Sequence, residues 1–375
     1  MSQPPVGPVG PVGPVQGSPQ GPGYRQGPSG PPIGWGGPPV APPPPPSPLP
    51  EQPRAYHAFL RSATFRWWKP LVAVLAVGLL WIVLQTILTV PAIFADGGFE
   101  AVYRDGQLRL GPWVFLANNV GIATAIPLVL LLSWAFFGQR PRWASSIQGG
   151  FRWGWFFRCV GVVVPFWLVT IAIEFALSPP DDLGPRWYTV LMVVGILLTT
   201  PVQAAGEEYL LRGFLARAVG SYFRVEWLGW AVSTVICSLV FMRLHMAADP
   251  WLNVFYVGFG VASSWMVWRT GGLEASCALH IVNNLLAEVT MPFSDFSGMM
   301  DRSVGTGDPT VLINMGLMVV VAIIIDRLAR RRGLPQRTAP GRRPTPALPG
   351  VPGGPGVPGQ PTVCRSPHQS VENVR

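Results

Sequence analysis

The chain has 375 residues, 49% of them hydrophobic and only 12% charged, with a formal net charge of +9. A soluble domain carries about 25% charged residues, so this composition excludes an ordinary water-soluble fold for the bulk of the chain. The positive charge lies beside apolar stretches, and no compact basic domain with interleaved aromatics exists to hold a phosphate backbone, which excludes nucleic acid as a partner.

The apolar character is concentrated in the middle. Residues 1–53 and 334–375 are rich in Pro and Gly, cannot build a core, and are expected to be disordered tails around a transmembrane domain at 54–333. Val6–Val15 reads VGPVGPVGPV, too short and irregular for a collagen triple helix. Ala41–Pro48 reads APPPPPSP and should be polyproline II, a semi-rigid spacer or a docking segment for a proline-binding partner. No signal-peptide core precedes the first apolar span, which is expected to serve as signal and anchor together. Cys159, Cys237 and Cys277 lie in or against apolar runs and Cys364 lies in the tail. Their spacing gives neither a disulfide framework nor a metal motif, so they read as small buried hydrophobes. Lys69 is the only lysine, and Ala, Gly and Pro are in excess, which points to a bacterial source and hence a plasma membrane.

A bilayer core needs about 20 apolar residues per helix. Eight stretches qualify in chain order: 70–93, 113–137, 156–177, 188–210, 227–246, 251–268, 272–290 and 309–326. The cations alternate across the connections. One set comprises Arg54, Arg61, Arg66 and Lys69, then Arg140, Arg142, Arg152 and Arg158, then Arg212, Arg217 and Arg224, then Arg269, then Arg327 and Arg330–Arg332. The intervening loops lean acidic, with Asp96, Glu100 and Asp105, then Asp181 and Asp182, then Asp295, Asp301 and Asp308. By the positive-inside rule both termini face the cytoplasm. The fold class is therefore all-α, a polytopic membrane bundle of about eight helices.

Ionisable groups at membrane depth are costly, rare and usually functional. Three segments carry them: GEEYLLR with Glu207 and Glu208, FMRLH ending in His245, and HIVNN beginning at His280. On a helix Glu208 and Arg212 are four residues apart in the favourable acid-first order. Glu207 then points about 100° away and stays free to act as a base. His280 and Asn284 are also four apart, so their side chains stack on one face. Asn283 lies off that face and reads as structural. Glu174, Asn118 and Asn119 are secondary candidates. Glu274 and Glu288, near the ends of their span, read as solvated, and His57 and His368 as tail residues. Arg243 is unusual inside FMRLH; pairing with Asp249 or with a substrate, or snorkelling to the interface, would accommodate it.

Taken in order, GEEYLLR fits EExxxR, FMRLH fits FxxxH and HIVNN fits HxxxN. Over residues 188–290 the chain resembles the CPBP family, the CAAX-protease and bacteriocin-processing (Abi/Rce1-like) intramembrane proteases. The resemblance implies that Glu207 and His245 activate a water, that His280 and Asn284 stabilise an oxyanion, and that Glu208 and Arg212 hold the chamber in shape. It also implies a metalloprotease classification, since Glu207, His245 and His280 could hold Zn²⁺ with an open position for water. A metal-free glutamate mechanism accounts for the same residues, and there is no HExxH helix. The expected activity is hydrolysis of a peptide bond in a membrane protein or lipidated peptide, within the lipid bilayer. The rival readings are a non-enzymatic immunity or scaffold protein of the same fold, and a proton-coupled transporter. All the polar chemistry falls in the second half, without the paired broken helices of transporter repeats.

One difficulty is depth. If the fourth span ends near residue 210 and the fifth starts near 227, Glu207 and His245 lie at opposite faces of the membrane, each roughly 28 Å from its helix's far end. A break at Pro201 is the expected solution, because freed backbone is tolerated where it lines a cavity.

Overall fold

The structure is a computed structural model that describes Gly10 and residues 44–104, 107–177, 179–180 and 182–342. Cys364, His368, Asp181, the polyproline run before residue 44 and, Gly10 apart, the Val6–Val15 repeat lie outside the described residues. The chain divides into two compact units, 1–45 and 46–375, and every described helix belongs to the second.

Helices dominate that unit. In chain order they are α1 (Trp68–Ala95), the single turn α2 (Phe99–Val102), α3 (Pro112–Ala123), α4 (Ala125–Phe137), the short α5 (Arg142–Ser145), α6 (Trp153–Leu177), α7 (Thr189–Glu208), α8 (Ala216–Gly220), α9 (Glu226–Leu244), α10 (Pro250–Thr270), α11 (Glu274–Ala287) and α12 (Val311–Arg331). A minimal antiparallel ribbon, β1 (Tyr103–Arg104) with β2 (Gln107–Leu108), sits in the α2–α3 connection. The chain is an all-α polytopic bundle. Six segments are long and apolar enough to cross a membrane: 68–95, 112–137, 153–177, 189–220, 226–244 and 311–331. They match the first to fifth and the eighth of the expected stretches.

The expected sixth and seventh stretches are helices, α10 and α11, but neither is among the six. At 14 residues, α11 reaches only about 21 Å, short of the roughly 30 Å hydrocarbon core. It packs against α6, α7 and α10, and Ala275 to His280 are all buried. A helix shielded from lipid by its neighbours does not need lipid-like faces and can carry polar groups. By contrast α1 exposes Leu75, Leu79, Ile82 and Ile87, an apolar surface that only lipid would cover without penalty.

Two glycines set close approaches that position the site. A Cβ on Gly206 would lie 2.7 Å from the Ile122 carbonyl oxygen, so only glycine lets α7 press against α3. Gly271 ends α10 in the left-handed region at φ 69°, and a Cβ there would meet the Pro335 carbonyl at 2.7 Å. This tight turn sends α11 back alongside α10.

Both ends of the described unit gather at one end of the bundle. Arg54 and Thr338 pair through their backbones, Gly341 N–H donates to Pro50 O at 2.9 Å, and Arg337 meets Glu226 at 2.6 Å. The inner edges of both expected tails, 46–53 and 334–342, therefore pack on the bundle. His57, read as a tail residue, is buried, with Nε2 2.9 Å from the Glu226 carbonyl. Burial lowers its pKa despite that hydrogen bond, holding the ring neutral. The same end holds Arg152 against Glu274 at 2.6 Å and Arg269 against Asp326 at 2.7 Å. Glu274, expected to be solvated, is fully buried by this pairing.

The basic residues 212 and 217 also depart from expectation. They belong to no loop, because one continuous helical segment runs from Thr189 to Gly220. Arg217 is buried under Tyr56 and Phe59 and donates to Gln139 Oε1 at 2.5 Å. A guanidinium can be buried when its fork is hydrogen-bonded and stacked on aromatic faces.

Candidate active site

The helix carrying Glu207 does not break at Pro201, which lies inside a continuous α7. The irregularity comes later, as a seven-residue π-helical stretch at Tyr209–Leu215. Its wider turn is visible in the Ala216 N–H bonding back to Leu211 O, and the Cys237 thiol reaches the same carbonyl at 3.3 Å. Such π turns recur at functional sites because they re-aim the side chains around them. The depth problem disappears with this helix. Its 32 residues span about 48 Å, and Gly220 lies roughly 20 Å beyond Glu207. Glu207 is thus well inside the bundle, and α9 rises beside it from Glu226.

The adjacent glutamates part ways as the helical angle requires. Glu208 is fully buried. Its Oε1 accepts from Arg212 Nη1 at 2.9 Å and from His280 Nδ1 at 2.9 Å. The Arg212 guanidinium also reaches Gly260 O at 3.3 Å and lies over the Phe241 ring at 5.2 Å. Glu207 keeps 15% of its side chain accessible, with Oε2 3.8 Å from His280 Nε2. Its Oε1 accepts from Gln203 Nε2.

His280 is held on both sides. Its Nδ1–H is committed to Glu208, which leaves Nε2 on the Glu207 side, and Phe259 meets its ring edge-on at 4.8 Å. Asn284, one turn along α11, donates from Nδ2 to Gln203 Oε1 at 3.1 Å. Asn283 Nδ2 donates to Asn284 Oδ1, and Asn283 Oδ1 accepts from Trp167 Nε1, each at 3.1 Å. Asn283 is therefore the structural amide of the pair.

His245 caps the end of α9. Its Nδ1 donates to Phe241 O at 2.8 Å, leaving the Nε2 lone pair free. The Tyr256 ring packs on the imidazole at 4.0 Å between centroids. Arg302 Nη1 donates to His245 O at 2.5 Å and covers Tyr256 at 5.7 Å. The Phe241 ring meets both imidazoles, His245 at 4.4 Å and His280 at 5.7 Å between centroids. The chain thus brings Glu207, His245, His280 and Asn284 into one polar centre among α7, α9 and α11, braced by Glu208 and Arg212.

Several participants were not legible in the motifs. Gln203 bridges Glu207 to Asn284; its signal is the four-residue spacing to Glu207 on the same face of α7. Tyr256 and Arg302 fix His245, and their separation from it in sequence gives no such signal. A second polar step follows on the same two helices. Glu288, expected to be solvated, is buried and accepts from Thr200 Oγ1 at 2.6 Å, and Thr200 accepts from Asn119 at 3.1 Å. Asn118 instead holds Gln85 at 2.7 Å. Glu174 is exposed on α6. Arg243 is exposed and does not pair with Asp249, whose carboxylate caps α10 through Trp251 and Leu252 N–H.

As a zinc site the arrangement fits poorly. Among the described residues no three His, Cys, Asp or Glu side chains form a metal-ligating group. Glu207 Oε1 is already engaged by Gln203, and the His280 Nδ1–H by Glu208.

The fold and centre together define a class: a polytopic helical membrane protein with a glutamate–histidine–asparagine site enclosed among its helices. Residues 186–286 match the family described as type II CAAX prenyl endopeptidase Rce1-like, and this is the segment that carries the three motifs. It is also 25% identical over 220 residues to the "Uncharacterized protein YyaK" of Bacillus subtilis (strain 168), covering 55% of this chain and 69% of that one. No solved structure matches the chain.

Proposed function

We propose that this protein is an intramembrane endopeptidase that hydrolyses a peptide bond in a membrane-associated or lipidated protein. The observation that carries this reading is the divergence of two neighbouring carboxylates. Glu208 is tied to Arg212 and His280, whereas Glu207 remains partly accessible with the His280 imidazole 3.8 Å away. A carboxylate so placed takes a proton from an attacking water. His245, with Nδ1 committed to the Phe241 carbonyl, shares that water through Nε2. The carbonyl of the scissile bond becomes an oxyanion, which the second N–H of Asn284 stabilises together with His280 in its protonated form, whose Nδ1–H is held by Glu208 and whose Nε2–H then faces the reacting carbonyl. The proton held by Glu207 then passes to the leaving amine.

Gln203 keeps Glu207 and Asn284 at a fixed separation, so attack and oxyanion stabilisation occur in one register. The Rce1-like match supports proteolysis of a membrane-associated substrate, and prenylated CAAX protein is the substrate its description prints. The pairing of Arg54 with Thr338 supports the two segments flanking the bundle lying on one side of the membrane, and the alternation of cations makes that side the cytoplasmic one of a bacterial plasma membrane.

The test is to express wild type and Glu207→Ala in the native host and compare the N- and C-terminal peptides of its membrane proteins. A fragment present only with wild type supports the protease and names its substrate. Identical peptides, with both proteins inserted at equal abundance, would instead favour a non-enzymatic scaffold.

A further inference from the structure

A groove of about 890 Å³ follows the seam between α10 and α12, outside the polar centre. Val254, Val257 and Val261 form one wall and Met315, Val319 and Ile323 the other. Each set is spaced three or four residues apart, so each is one face of its helix. Val254, Val261, Val319 and Ile323 all remain more than 40% exposed. The groove ends at Asp326, Arg327 and Arg330.

The charges at that end do not balance. Asp326 accepts from Arg269 Nε at 2.7 Å and from Arg330 Nη2 at 2.6 Å, so one carboxylate is shared by two guanidinium groups, and a third, Arg327, lines the same end. Arg327 is exposed and meets no acid among the described residues, and Arg331 and Arg332 follow it. An arginine cluster at the end of a spanning helix lies at headgroup depth, and basic pockets between such helices favour anionic headgroups.

The length fits the same occupant. Met315 to Arg327 covers about 18 Å of helix, close to the roughly 15 Å of hydrocarbon in one leaflet. We propose that this groove binds an anionic glycerophospholipid, one acyl chain lying between α10 and α12 and the phosphate held by Arg327 and Arg330. A phosphate accepts from two such forks at once, whereas a zwitterionic headgroup returns much of that attraction as repulsion of its own cation.

The proposal is independent of proteolysis, and so is its test. The purified, delipidated full-length protein is offered equal amounts of dioleoyl phosphatidylglycerol and dioleoyl phosphatidylcholine in detergent, and bound lipid is read by native mass spectrometry. Wild type should retain phosphatidylglycerol roughly thirtyfold over phosphatidylcholine, at the attraction expected for two arginines. Arg327→Gln should remove most of that preference, and it breaks no ion pair. Val261→Trp, which fills the groove, should lower retention of both lipids. Equal retention of the two lipids by wild type would overturn the proposal, as would a preference that survives both substitutions in variants with wild-type helical content and unfolding temperature.

Discussion

The polar centre and the arginine-clamped end of the bundle are built from the same residue types, yet they use them differently. At the clamped end each carboxylate is consumed. Glu274 is gripped by Arg152 through its side chain and backbone N–H, Asp326 by two arginines, and Glu226 by Arg337 and the Ala55 N–H. At the centre one carboxylate is consumed and its neighbour is not. Glu208 behaves like the clamps, while Glu207 has an amide and an imidazole nearby and no cationic partner at contact distance. A charge closed by its partners holds helices together; a charge left partly open is available for chemistry.

That contrast can be broken experimentally. The largest stability effect is expected for Glu208→Ala, which strands the buried Arg212 and should cost about 3–5 kcal/mol, read as a large fall in unfolding temperature in detergent. Arg152→Ala leaves Glu274 buried without its partner and should cost about 3 kcal/mol, somewhat less because Arg152 is partly solvated. Gln203→Leu removes its hydrogen bonds to Glu207 and Asn284 and should lower the proteolytic rate roughly thirtyfold, the worth of about two lost hydrogen bonds. Arg337→Ala, at an exposed pair with Glu226, should stay within about 1 kcal/mol.

A last, local effect depends on pH. Burial opposes ionisation of Asp249, but N–H donors from Leu252, Gly305, Gly307 and Trp251 outweigh it and hold its pKa below the usual value. A depressed pKa makes the contribution present above the unfolded value of roughly 3.9, and it is lost as pH falls through the lower folded value. Hydrogen exchange at the Gly305 and Leu252 amides should therefore rise only in strongly acidic buffer. Exchange that rises already near neutrality would contradict this cap.

Much of the architecture was legible because lipid imposes simple rules. Continuous apolar length marked α1, α6 and α12, and the three motifs marked Glu207, His245, His280 and Asn284. What escaped had physical reasons. Arg212 and Arg217 were counted as loop cations because charge usually ends a span, yet aromatic stacking and hydrogen bonds let the helix carry them inside for another three turns. Pro201 was expected to break α7, but the helix absorbs it and loosens instead at Tyr209–Leu215. Glu274 and Glu288 looked solvated because end-of-span position was taken for exposure. Their partners, Arg152 and Thr200, are remote in sequence and carry no local pattern.

The most direct test of the division between the two glutamates measures Glu207→Gln and Glu208→Gln side by side. For each, the unfolding temperature and the set of membrane-protein fragments produced in the host are recorded together. Glu207→Gln should keep the wild-type unfolding temperature and lose about 10²–10⁴ in cleavage rate, while Glu208→Gln unfolds at a lower temperature. Wild-type cleavage by Glu207→Gln, or a marked loss of stability in that variant with none in Glu208→Gln, would contradict this division of roles.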